Sequence, residues 1–359
     1  RGVSDRAVQC SAVRCGAQAG EQARQRMDES TLERNKRLYD SHAPVAGNER
    51  EQRQSRESGQ AYPLKRYHNE IKAKLLACFA QGADSLLDLC CGRGGDIHKW
   101  IDCRIKRVGG VDNSMKEIVE AMRRFAKAKQ SRGASLEAKF QHTDFLGQKV
   151  LDLGATYDVV TCMFAIHYFF ESETVVKTFF KNVSAHLKPG GHFIATFPSG
   201  KQVLQTLNRK EAYRSPMLYL RKHWRGQDPS SPFGQAFECA ITDTVTRAGG
   251  EAEAGGATAG AAEIVGSHEY LVFFNVIQAL AKEVGLDVVK HYPARAGKGN
   301  TEGLFQDADV DSGFKRFKAP FGRREEDTEV AKSLRVASEL YVAAVFRKTA
   351  QEQGEEKGK

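Results

Sequence analysis

The densest chemistry in the chain lies in Leu86-Leu87-Asp88-Leu89-Cys90-Cys91-Gly92-Arg93-Gly94-Gly95-Asp96, where an apolar run ends in an acid and opens into a glycine-rich turn. The spacing is not the G-x-G-x-x-G fingerprint that seats a pyrophosphate on a helix N-terminus. An acid at the mouth of such a turn repels phosphate and suits a ligand that carries an ammonium group. S-adenosylmethionine, with an amino-acid end and a sulfonium, is a ligand of that kind. A second apolar run, Arg107 to Val111, ends at Asp112, which can take both hydroxyls of a ribose. An NAD enzyme would share this second acid but not the Asp88 turn. Leu136 to Gln141 ends in His142-Thr143-Asp144. Asp144 there can reach an adenine amino group or simply cap its loop.

Further along stands Met163-Phe164-Ala165-Ile166-His167-Tyr168-Phe169-Phe170, at the end of the run Tyr157 to Cys162. Buried core is the usual fate of so aromatic a stretch, but a His-Tyr pair at a strand end points to a base-stacking pocket. Upstream, Tyr67 to Phe79 has the apolar spacing of a helix, with Ile71, Leu75, Cys78 and Phe79 on its stripe. His68, Asn69 and Lys72 are neighbours on its polar side, where a solvated face is the plain reading.

The elements needed to position these groups follow from the rest of the pattern. Ile97, Trp100 and Ile101 begin a helix after the glycine turn. Ser114 and Glu117 form a capping box for the next one, with Met115, Ile118, Met122 and Phe125 expected inward. Ser172 caps a third, facing Val175, Val176, Phe179, Phe180, Val183 and Leu187 to the core, and Lys188-Pro189-Gly190-Gly191 ends it before the strand His192 to Phe197. Five alternations of strand and helix predict an α/β fold with a doubly wound, mostly parallel sheet. From Lys201 to Thr246 the pattern is mixed, and residues 247–262 are low-complexity. His268-Glu269-Tyr270 leads into a helix, Leu286 to His291 makes a sixth strand, and Leu340 to Phe346 closes the sheet as the seventh. Between the last two, residues 293–335 read as polar, with a basic-aromatic piece at 314–318.

Composition narrows the class. The net charge of +9 fits ordinary solubility or a polyanionic partner such as RNA, DNA or an acidic membrane surface. No apolar run approaches a membrane span, which predicts a soluble protein. The eight cysteines have no paired zinc spacing, so reduced core thiols and no metal are expected. Nothing near Arg1 has the make-up of a secretory signal, and Arg1 is not a methionine, so the reading frame is expected to open upstream of it.

With these pieces placed, the chain resembles the messenger-RNA cap guanine-N7 methyltransferases, a class I S-adenosylmethionine-dependent family. Four stretches carry the likeness: Lys65-Arg66-Tyr67-His68-Asn69-Glu70-Ile71-Lys72; Asp88 to Asp96 with His98-Lys99-Trp100; Phe164-Ala165-Ile166-His167-Tyr168 with Phe170-Glu171-Ser172; and Glu269-Tyr270-Leu271-Val272-Phe273-Phe274. The resemblance implies a Rossmann-like seven-stranded sheet with an inserted cap-binding subregion. It implies that Lys72, Asp88, Cys90, Gly92, Asp112, Asp144, Met163 and Phe164 surround S-adenosylmethionine. His68, Asn69, His167, Tyr168, Phe233, Glu269 and Tyr341 would surround the cap guanosine and its phosphates. Cys90 stands where the family has glycine, Met163 where it has glutamine, His68 where it has asparagine and Glu70 where it has tryptophan.

The expected activity is methyl transfer to N7 of the GpppN cap guanine of a 5'-capped pre-mRNA, in the nucleus, beside the RNA polymerase II capping machinery or an activating subunit and away from membranes. Guanine N7 has an in-plane lone pair and no proton, so no general base is required and the work falls to positioning and electrostatics, with Glu269, His167 and Tyr168 in that role. Two other readings keep the fold: a class I methyltransferase with another RNA or small-molecule substrate, and a non-catalytic RNA-binding relic. The expected organisation is an N-terminal arm over 1–37, disordered or partly helical, a methyltransferase domain over 38–348, and a charged tail over 349–359.

Overall fold

The computed structural model describes residues 31–41, 57–242, 244, 246, 264–293, 301–307 and 312–349. The low-complexity stretch 247–262 and nearly all of the charged tail lie outside the described residues.

Strand β1 (Ser85–Leu89) is buried along its whole length, as a continuous apolar run flanked by strands on both sides should be. It pairs in parallel with β2 (Arg107–Asp112) and β4 (Tyr157–Met163). β3 (Glu137–His142) follows β2, and β5 (Leu187–Pro198) follows β4, both parallel. β13 (Tyr341–Lys348) runs antiparallel to β5, and β10 (Leu286–Val288) pairs antiparallel with β13. These are the seven strands expected, in the order β3-β2-β1-β4-β5-β13-β10. A hairpin unread in the sequence, β11 (Phe305–Asp307) and β12 (Lys315–Phe317), pairs with the same edge of β13 and brings the sheet to nine strands. The basic-aromatic piece is part of this hairpin, and Phe314 and Phe317 are fully buried.

Helices cover both faces. On one side lie α2 (Tyr62–Phe79), α3 (Ile97–Asp102) and α4 (Met115–Arg132), around Ile71, Leu75 and Trp100. On the other lie α5 (Glu173–His186) and α7 (Phe274–Glu283), around Phe179, Phe180, Phe193 and Phe346. Each such fully buried phenylalanine contributes about 2–3 kcal/mol of apolar burial. α6 (Gly200–Leu207) and α8 (Glu329–Glu339) complete the set.

The mixed region is a separate antiparallel sheet of β6 (Ala212–Arg214), β7 (Leu218–Lys222), β8 (Ala236–Ile241) and β9 (Ser267–Tyr270). β9 carries Glu269, so what reads as a lead-in to a helix is a strand.

Two expectations need correction. The inward face of α4 is Glu117, Ile118, Ala121 and Ala128, while Met115 and Met122 are about half exposed. The reason is Glu117, whose carboxylate is drawn inward to Arg93 of the glycine turn at 2.7 Å. Ser114 still caps the helix through the Glu117 amide, but its own amide goes to Asp112, so the reciprocal half of the capping box is not made. The other correction concerns the N-terminal arm: α1 (Thr31–Ser41) is a helix that runs through the expected boundary at 37 and packs on β9.

Candidate functional site

The parallel strands end together, and the site grows from their carboxyl edge. Past β1 the backbone turns left-handed at Cys90 (φ 68°), Gly92 (φ 50°) and Gly94 (φ 71°). A Cβ at Gly94 would collide with Ile97, which explains that glycine. Cys90 holds the same backbone region with a side chain, at a steric cost glycine would not incur. The amides of Cys90 and Cys91 both bond the carbonyl of Val111, at 2.8 and 2.9 Å. Asp112 accepts from Gly92 N at 2.8 Å and from Ser114 N at 2.9 Å, so one carboxylate buckles the first turn to the second. Burial raises the pKa of Asp112 and these backbone amides oppose the rise.

Around this buckle lies a cavity of about 480 Å³, within the size range of small-molecule sites. All eight residues expected around the cofactor line it: Lys72, Asp88, Cys90, Gly92, Asp112, Asp144, Met163 and Phe164. Asp88 accepts from Thr161 Oγ1 at 2.7 Å, and its pKa is raised by burial and then by the charge of Asp96. Lys72 straddles the two oxygens of Asp96 at 2.8 and 2.9 Å, and Lys99 adds a contact at 2.8 Å. Burial works to raise the Asp96 pKa, but those two ammonium groups outweigh it and bring it down to about 2. At the other end Asp144 pairs with Lys36 of α1 at 2.8 Å.

The donor set fits a nucleoside that carries an amino acid. Carboxylates stand at the strand ends, where an ammonium and a pair of hydroxyls would find acceptors, and the walls between them (Met163, Phe164, Phe169) are apolar. The acids make the pocket hostile to a pyrophosphate.

Next to the cavity's aromatic wall lies a second, more deeply buried group. Tyr168 lines the cavity and shares a hydrogen bond of 2.9 Å with the hydroxyl of Tyr39, which comes from α1. His167 and Tyr168 sit in a 3₁₀ turn, Ile166–Glu171, with ring centroids 4.2 Å apart. His167 Nε2 is 3.5 Å from Glu269 Oε2, and both side chains are almost wholly buried. Neither ring nitrogen of His167 has a hydrogen-bond partner, and neither has Glu269 Oε2. Burial pushes the His167 pKa down to about 3 and that of Glu269 up to about 7. A neutral imidazole and a strained carboxyl thus meet with unused hydrogen-bonding capacity. Tyr341 stands nearby and, with Tyr39 and Tyr168, lies in the field of Glu269.

Other expected cap residues are placed differently. Glu269 itself is not part of the cavity wall, although Tyr39 and Tyr168, which are, lie in its field. His68 stacks on Phe164 (5.0 Å, 14°), edges Tyr341 and bonds Ser338, so it braces the aromatic wall from outside the cavity. Asn69 is exposed and accepts from Lys99 at 2.8 Å. Phe233 packs on Phe170 at 6.2 Å, away from the cavity.

Sequence reasoning missed the contribution of α1. Asn35 exchanges bonds with the backbone of His268 (2.7 and 3.1 Å), and Tyr270 donates to Thr31. Lys36 and Tyr39 reach the cavity, and Asp40 accepts from Ser114 Oγ. The i, i+4 spacing of Thr31, Asn35 and Tyr39 was the available signal, but it is polar and has no apolar stripe to announce it.

The family model described as the mRNA (guanine-N(7))-methyltransferase domain matches residues 28–248. The chain is 29% identical over 252 residues to mRNA cap guanine-N(7) methyltransferase 1 of Arabidopsis thaliana, covering 66% of this chain and 62% of that one. It is 26% identical over 248 residues to the mRNA cap guanine-N(7) methyltransferase of Saccharomyces cerevisiae, covering 64% and 52%. The chain therefore spans less than two thirds of the length of these relatives.

Proposed function

Because this chain belongs to the mRNA (guanine-N(7))-methyltransferase family, we propose that it methylates N7 of the guanine in a GpppN-capped RNA, with S-adenosylmethionine as donor. The observation that carries the reading is the pair His167 and Glu269. His167 Nε2 faces Glu269 Oε2 beside a tyrosine wall, and these two atoms and His167 Nδ1 are buried without a partner, a combination that calls for a partner from outside the protein.

Asp112 is suited to ribose hydroxyls, Asp88 to the amino-acid ammonium, and Cys90, Met163 and Phe164 to the apolar part between. Lys72, with Lys99, keeps Asp96 ionised at that end of the cavity. When bound, S-adenosylmethionine supplies an electrophilic methyl on a sulfonium sulfur. Glu269, as a carboxylate, can accept from N1–H and the exocyclic amine of guanine together, which selects guanine over adenine. The same charge offsets the positive charge that the purine gains on methylation. His167, kept neutral, can both donate and accept without adding a cation that would oppose that charge. Tyr168 and Tyr341 offer faces or edges for the base. None of these groups needs to remove a proton.

The natural substrate is then a 5'-capped messenger precursor, the compartment the nucleus, and the neighbours the capping machinery or an activating subunit. The test is incubation of the protein with labelled S-adenosylmethionine and RNA ending in GpppG, ApppG or a 5'-triphosphate. Label is expected on the first alone. Equal labelling of GpppG and ApppG ends, or labelling of triphosphate RNA only, overturns the proposal.

A further inference from the structure

Glu269 has to be ionised to recognise guanine, yet among the described residues none supplies a cation beside it. The titratable groups facing it are His167 and Tyr168 from the 3₁₀ turn, Tyr39 from α1, Cys239 from β8 and Tyr341 from β13. Burial holds His167 neutral, with its pKa near 3, and it raises the pKa of the tyrosines and the thiol, groups that are uncharged when protonated, so none of them carries charge at neutral pH. His268, Glu238 and His223 are on the opposite face of the small sheet, because strand neighbours alternate.

One group remains. Ser267 precedes Glu269 by two residues on β9, hence on the same face. It is 3% exposed, and its hydroxyl donates to Glu269 Oε1 at 2.7 Å. The carbonyl of Cys239, its register partner on β8, is a second acceptor 3.2 Å from Ser267 Oγ, and the shorter contact to Glu269 takes the single hydroxyl proton. Oε1 is thereby tethered, and Oε2, without a partner, is left toward His167.

We propose that Ser267 is a positioning residue. Its hydroxyl sets the rotation of the Glu269 carboxylate and favours the ionised form, and so fixes the pH below which capped guanine is no longer recognised. The proposal rests on the function proposed above. A hydrogen bond to the charged form lowers a carboxyl pKa. Its loss raises that pKa and moves the acid limb of activity to higher pH.

The experiment compares the parent, Ser267→Ala and Ser267→Thr from pH 5.5 to 9. Initial rates are read against GpppG-RNA, donor affinity by calorimetry, and Glu269 ionisation by infrared difference spectra against Glu269→Gln. The parent limb is expected near pH 7. In Ser267→Ala it should move up by about one pH unit, with KM for capped RNA raised several-fold at pH 7, kcat little changed at pH 9 and donor affinity unaltered. Ser267→Thr, which keeps the hydroxyl, should restore the parent profile. Coincident limbs for the parent and Ser267→Ala, or a loss equal at every pH, overturn the proposal. If the parent does not methylate capped RNA at all, it is the function that fails. The infrared titration then judges Ser267 on its own: an unmoved Glu269 carboxylate band in Ser267→Ala overturns its role.

Discussion

Glu269 is held where the fold would rather have it neutral. Its pKa is raised by burial from 4.5 to about 7, so its stabilising contribution is complete below the unfolded value and is lost as pH climbs through 7. Glu269→Gln should therefore match the parent's stability near pH 4.5 and exceed it by up to about 3 kcal/mol in mild alkali, while methyl transfer collapses. Denaturant unfolding at the two pH values checks the sign, and a gap that narrows with rising pH would refute it. Cys90 is strained in its backbone, with φ 68° at the cavity wall, as is Phe164 with φ 62°. A β-branched side chain tolerates that backbone poorly, so Cys90→Val should destabilise by about 1–2 kcal/mol and weaken donor binding. A melting temperature equal to the parent's would show that the turn is not constrained.

Among the elements, α1 has the most consequence for its length. It contacts the donor side through Lys36–Asp144 and Asp40–Ser114, and the base side through Asn35–His268, Thr31–Tyr270 and Tyr39–Tyr168. Asn35→Ala removes both bonds to the His268 backbone at a cost of about 1–3 kcal/mol. Amide hydrogen exchange in α1 and β9 should rise, and KM for capped RNA should increase, while the large sheet stays protected. Unchanged exchange in β9 would mean that α1 does not brace it. The small sheet has a simpler duty, carrying β9 so that Glu269 and Ser267 meet the 3₁₀ turn.

For the whole molecule, the net charge of +9 should act on the RNA body more than on the cap. KM for capped RNA should rise steeply with salt and KM for the GpppG dinucleotide much less, since fewer phosphates release counterions. Parallel slopes for the two substrates would count against a polyanion path. The residues expected around the donor line one cavity because their signals are local: Asp88 and Asp112 close apolar runs at the strand ends, and a strand end followed by a turn fixes where an acid points. The base half was harder. Glu269 reads as a helix lead-in because β9 is short, and its partner β8 is separated from it by the stretch 247–262. Thr31 to Tyr39 has no apolar stripe, since it docks through hydrogen bonds, and the β11–β12 hairpin owes its place to an edge of β13 that comes later in the chain. A helix fastened to both halves has one further effect. Whatever steadies α1 from one side lowers the entropy lost on binding at the other, so donor and cap should tighten each other's grip reciprocally. In a closed thermodynamic cycle, the factor by which a cap analogue improves donor affinity must equal the factor measured the other way round.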